Sequence, residues 1–149
     1  MNRSVSIVSL EQATATPRIV ALNRDLFFGV RLKQLGESLG YAVELVPDAG
    51  RFLTALHARG AQLGIIDINA RPDWSLIAAD PEVANRPPIM AFGPHLDVEG
   101  LRAAKEAGVT RVVSNGQFHR DPAALITRYA AGGAGATDGD DGELEPEEI

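Results

Sequence analysis

Few side chains in this 149-residue chain are equipped for chemistry, and elimination narrows them quickly. There is no cysteine, which removes thiol catalysis, thiolate metal sites and disulfides together and fits a reducing compartment. The three histidines, His57, His95 and His119, lack zinc-ligand spacing and have no Ser/His/Asp or Cys/His arrangement. Each is expected at the surface, His57 on a helix and the other two in loops. The first strand-to-helix turn reads Asn23-Arg24-Asp25-Leu26, with no glycine-rich phosphate loop, so a dinucleotide enzyme is not expected. What remains is a set of residues at the ends of short apolar runs: Asn23, Arg24 and Asp25; Asp67; Phe92 and Gly93; and Ser114, Asn115 and Gly116. Asp67 and Arg24 are of types that form an ion pair, and Arg24 with Asn115 could hold a small anion such as a nucleotide.

Those runs alternate with segments of helical periodicity, the signature of a parallel sheet covered on both faces. Strands are predicted at 18–22, 41–46, 63–68, 89–92 and 111–113. The first helix carries Phe28, Leu32, Leu35 and Leu39 at spacings of three and four and is stopped by Gly40. Further helices are predicted at 50–59, with Phe52, Leu53 and Leu56 facing inward, and at 74–79, 98–107 and 121–129. Five strands and five helices in alternation give an α/β, flavodoxin-like (βα)5 sheet. In such sheets ligands sit at the carboxyl ends of the strands, near the switch in strand order. The polar set named above falls there.

Hydrophobic residues make up 45% and charged residues 23%, as in an ordinary globular domain. No apolar run approaches the roughly 20 residues of a membrane helix, and residues 1–17 lack a secretory apolar core, so the cytoplasm is the expected location. The net charge of -6 is concentrated: residues 138–149 hold seven of the twenty acids and no base, leaving 13 acids against 14 bases elsewhere. A body of net +1 without a basic run gives no sign of nucleic-acid binding. Residues 1–17 are expected to be a flexible leader with one short ordered piece at 5–10, residues 18–131 the folded domain, and residues 132–149 a disordered acidic tail. The tail either solubilises the chain, or folds back on a basic surface or docks a basic partner.

From Ile19 to Asp67 the chain resembles the receiver domains of bacterial response regulators. Asn23-Arg24 stands at the family's acidic pair, Gly40-Tyr41 opens the second strand, and Asp67 ends the third where the family has its phospho-accepting aspartate. Pro87-Pro88-Ile89-Met90 is similar to the proline-led fourth strand, and Ala107-Gly108-Val109 to the Ala-Gly-Ala before the fifth. The resemblance covers residues 18 to about 130. It implies phosphoryl transfer from a phosphohistidine with Mg²⁺ held by several oxygens. Three of the parts that chemistry needs have changed. The acidic pair is replaced by Asn23-Arg24, with Asp25 as a substitute acid or a helix cap. The Ser/Thr after the fourth strand is missing from Ala91-Phe92-Gly93-Pro94, and the Lys-Pro after the fifth is Asn115-Gly116.

Asp67 is therefore expected to be a structural carboxylate paired with Arg24. The alternatives are a phospho-acceptor that still works, or part of a remodelled pocket made by Asn23, Arg24, Asp25, Phe92, Gly93 and Asn115. The function expected is a stand-alone, degenerate receiver-like module that is not an enzyme, needs no cofactor or metal, and acts on another protein, with a second copy of the chain as one candidate. No output domain is expected after the fifth helix. By the resemblance, the contact surface is the fourth helix, fifth strand and fifth helix, with Leu101, Arg102, Lys105, Arg111, Phe118 and Arg128. Phe118 is either a core plug or an interface anchor, and Trp74 carries the same ambiguity.

Overall fold

The computed structural model describes residues 16–130. Strands β1 (Arg18–Leu22), β2 (Ala42–Val46), β3 (Ala61–Asp67), β4 (Ile89–Gly93) and β5 (Arg111–Ser114) form one parallel sheet in the order β2-β1-β3-β4-β5. They alternate with α1 (Leu26–Ser38), α2 (Ala49–His57), α3 (Trp74–Ala78) and α4 (Val98–Glu106), and β5 is followed by α5 (Asn115–Arg120) and α6 (Pro122–Ala130). Two 3₁₀ turns, Ile68–Ala70 and Val83–Asn85, lie on either side of α3. This is the expected (βα)5 architecture, with the anticipated elements displaced by no more than two residues at their ends. The expectations for the leader, the piece at 5–10 and the acidic tail lie outside the described residues.

The strands alternate their side chains between two cores, which is why the inner strands β1, β3 and β4 read as largely apolar. On one face Ile19, Ala21, Leu63, Ile65, Met90, Phe92 and Val113 pack against Phe28 and Leu32 of α1, Phe118 of α5, and Ile126 and Tyr129 of α6. On the other, Val20, Leu22, Ile66, Ile89 and Ala91 meet Phe52 and Leu56 of α2, Ile77 of α3 and Ala104 of α4. Trp74 is half-buried against this second core, which resolves its ambiguity toward packing. Gly64 permits a close approach: a Cβ there would stand 2.6 Å from the Phe52 ring, so α2 can lie directly on β3. Gly40 ends α1 with φ +95°, a conformation that favours glycine.

Aspartates cap the helices, which accounts for much of the body's acidity. Asp25, Asp48, Asp73, Asp97 and Asp121 accept from the amides of Phe28, Arg51, Ser75, Gly100 and Ala124 at 2.8–3.1 Å. One element departs from the sequence reading. Residues 115–120, expected as a loop, form α5, because Ser114 and Gln117 make a capping box: Ser114 Oγ accepts from the Gln117 amide and Gln117 Oε1 accepts from the Ser114 amide, both at 3.1 Å. His119 is consequently on a helix. It is exposed, as expected; His57, by contrast, is half-buried, with its Nε2 2.8 Å from Asp80 Oδ2.

Candidate functional site

Strand register assembles the polar set. Leu22 lies opposite Ile66, so Asn23 follows beside Asp67; Asp67 is level with Phe92, and Gly93 with Ser114. This is the point where strand order reverses, since β1 sits between β2 and β3. Asp67 is 8% exposed, and its Oδ1 accepts from the Asn69 amide at 2.9 Å, capping the first 3₁₀ turn. Its carboxyl is pushed above the ordinary aspartate range. Burial is the main cause; the Asn69 hydrogen bond opposes it, the negative charge of Asp25 adds to it, and His119 opposes it.

The expected pairing of Asp67 with Arg24 does not form. Arg24 is exposed, and among the described residues no ion pair joins it to a carboxylate. The reason is local. Asn23 closes on Asp25 from both ends, its Nδ2 donating to the Asp25 carbonyl at 2.8 Å and its Oδ1 accepting from the Asp25 amide at 3.1 Å. Arg24 is held at the tip of that turn. It lines instead a cleft of about 410 Å³ with Asp48, Arg71 and Asp73, away from Asn115, so a shared anion pocket of Arg24 and Asn115 is not built.

Other members of the expected pocket are walls. Phe92 is core, stacked on Phe118 with ring centroids 4.3 Å apart and planes 10° from parallel. Gly93 is backed by Ile68, whose Cβ lies 2.9 Å from where a Gly93 Cβ would be. Asn115 opens α5 half-buried and brings no charge. The residue that sequence reasoning missed is His119. It meets the rings of Phe28, Phe92 and Phe118 edge-on, at 5.7, 5.9 and 5.4 Å, and acts electrostatically on Asp67. The Ser114/Gln117 capping spacing was the available signal for the helix that carries it.

The charged ligands available to a Mg²⁺ ion here are the carboxylates of Asp25 and Asp67. Asp25 Oδ1 is bonded to the Phe28 amide, and Asn23 Oδ1 is consumed by the turn. No three His, Cys, Asp or Glu side chains converge as a metal site among the described residues. Asp67 holds its proton more tightly than a free aspartate, burial and the Asp25 charge outweighing the Asn69 amide and His119. The residues do not fit the ion.

The residues expected at the contact surface differ in exposure. Arg102 and Lys105 are exposed, Leu101 and Arg128 half-buried, and Arg128 lies 5.5 Å over the Tyr129 ring. Phe118 and Arg111 must be withdrawn from it. Phe118 is 1% exposed because the capping box turns it into the aromatic core, and Arg111 is buried where β5 begins. His95, Val98, Leu101, Arg102 and Lys105 line a groove of about 240 Å³ along α4, beside the exposed Leu96.

Solved structures with this geometry are consistent in kind. Full-length FixJ from B. japonicum matches at 22% identity and TM-score 0.62, covering 83% of this chain and 61% of its own. The receiver domain of the TMAO respiratory regulator TorR matches at 19% and 0.63, covering 75% and 94%. The receiver domain of NtrX from Brucella abortus matches at 17% and 0.60, covering 75% and 96%. The chain has the receiver-domain fold. It spans 61% of full-length FixJ but nearly all of the two isolated receivers, so the likeness is of receiver size. No protein-family profile matches the sequence, and no curated protein does. Within the receiver fold, Asp67 occupies the end of the third strand as the resemblance implied. No helix among the described residues is long and apolar enough to cross a membrane.

Proposed function

We propose that this chain is a cytoplasmic receiver-like regulatory module that acts by binding another protein through the face of α4, β5 and α6, without Mg²⁺-dependent phosphotransfer. The observation that carries this is the setting of Asp67. In a phosphotransfer site the acceptor carboxylate works among cations that favour its ionised form. Asp67 is instead buried, with the Asp25 charge adding to its proton affinity and only His119 among nearby charges opposing it, and the net effect is a raised proton affinity. With the chemistry disfavoured, recognition is what the fold has left to offer. The α4 flank supplies it, with Leu96 81% and Val98 48% exposed next to two cations.

The test is capture of binding proteins from native cell extract, quantified for the unaltered chain, for Arg102→Glu with Lys105→Glu, and for Arg24→Glu as a control on a remote surface. Loss of the same captured species with the α4 variant alone is the expected result. Equal capture by all three chains would remove α4 from the interface.

A second reading keeps Asp67 as a working phospho-acceptor. One observation favours it: Asp25, next to the replaced acidic pair, stands near enough to Asp67 to affect its ionisation.

A further inference from the structure

Helix α4 separates its charges across its two flanks. Asp97 and Glu99 line one side, together with Asn69 and Arg71 of the β3–α3 connection. The other side presents Val98, Leu101, Arg102 and Lys105, residues spaced three and four apart and therefore on one stripe. With His95, this stripe forms a groove that is apolar at its amino-terminal end, cationic at its carboxyl-terminal end and, among the described residues, without an acidic lining side chain. A fitting ligand is an acidic peptide with an apolar side chain set among its carboxylates. The chain contains one: in residues 138–149 the order Glu143-Leu144-Glu145 places a leucine between two acids, within a stretch of seven acids and no base.

We infer that residues 138–149 of this chain dock in its own α4 groove, Leu144 against Val98 and Leu101, and Glu143 and Glu145 toward Arg102 and Lys105. The inference rests on the reading of α4 as the binding face, and it makes the acidic segment a competitor for the partner's site. The seven residues 131–137 span up to about 25 Å, close to the width of a small domain. Affinity need not be high, because tethering sets an effective concentration on the order of millimolar. Two exposed ion pairs contribute little, so the contact is displaceable and weakens with salt.

The chain has two lysines, Lys33 on α1 and Lys105 in the groove, so zero-length carbodiimide coupling of amine to carboxylate reads the docking site directly. The full chain is coupled at micromolar concentration, the monomer isolated, and linked peptides identified by mass spectrometry. Expected is a Lys105 link to residues 138–149 that falls about fivefold in Arg102→Glu, the loss of about one exposed ion pair. That variant should keep the melting temperature of the parent. Equal linkage to Lys33, no link to the segment, or a link confined to a coupled dimer would overturn the inference. A parallel capture experiment with residues 138–149 removed separates the two claims. Partner capture is expected to rise. A Lys105 link with capture indifferent to both the segment and the α4 charges defeats the binding-face reading; capture that needs the α4 charges, with no link, defeats the docking alone.

Discussion

The Asp25 carboxylate, tied to the Phe28 amide at the first turn of α1, stands close enough to Asp67 for its charge to raise the proton affinity of the buried acid. The sign of the consequence follows from linkage. A carboxyl whose folded-state value is raised binds its proton more tightly folded than unfolded, so stability is lost as pH rises from about 4 through the raised value. Ionised Asp67 therefore costs stability at neutral pH. Asp67→Asn, which keeps an oxygen for the Asn69 amide, is expected to melt higher than the parent at pH 7 and to lose that advantage near pH 4. Thermal melts across pH 3.5–8 check this; a lower melting point at pH 7 would contradict it.

Arg24→Ala is expected to cost less than about 0.5 kcal/mol, as for exposed residues without a fixed partner. Denaturant unfolding decides. A loss near 3 kcal/mol, the scale of a broken buried pair, would mean that Arg24 does serve Asp67.

A buried ion pair lies elsewhere among the described residues. Asp80 Oδ2 takes His57 Nε2 at 2.8 Å and Arg86 Nη1 at 3.2 Å, while its Oδ1 accepts from the Glu82 amide, joining α2 to the segment between α3 and β4. Burial alone would raise the Asp80 carboxyl; the Glu82, His57 and Arg86 contacts outweigh it and hold the group below the ordinary range. Its contribution is present at neutral pH and lost as pH falls below about 4. Arg86→Met is expected to destabilise by about 3 kcal/mol at pH 7, leaving the buried carboxylate with His57 and the Glu82 amide only. Urea midpoints at pH 7 and pH 3.5 should show the penalty shrinking on acidification.

Phe118→Ala is expected to cost about 3–5 kcal/mol by emptying the stack on Phe92, whereas Arg102→Glu should stay within about 0.5 kcal/mol. Paired unfolding curves distinguish a core residue from a surface one.

The sheet was legible because burial on both faces writes itself as apolar runs, and Asp67 was legible because it breaks such a run at its end. Helix α5 was not, because its six residues Asn-Gly-Gln-Phe-His-Arg show no periodicity and the signal lay in one Ser114/Gln117 spacing. Missing that helix misplaced Phe118 and hid His119. Arg24 was misassigned for a different reason. Topology placed it next to Asp67, but the side chain of Asn23 decided its direction, and such turn bonding is set by conformation that residue types alone do not reveal.

The most direct measurement exposes the full chain to acetyl phosphate with millimolar Mg²⁺ and reads intact mass after acid quench, alongside Asp67→Ala. The expected result is an unchanged mass for both proteins. A phosphoryl increment on the parent that is absent from Asp67→Ala would contradict a module that works without phosphotransfer.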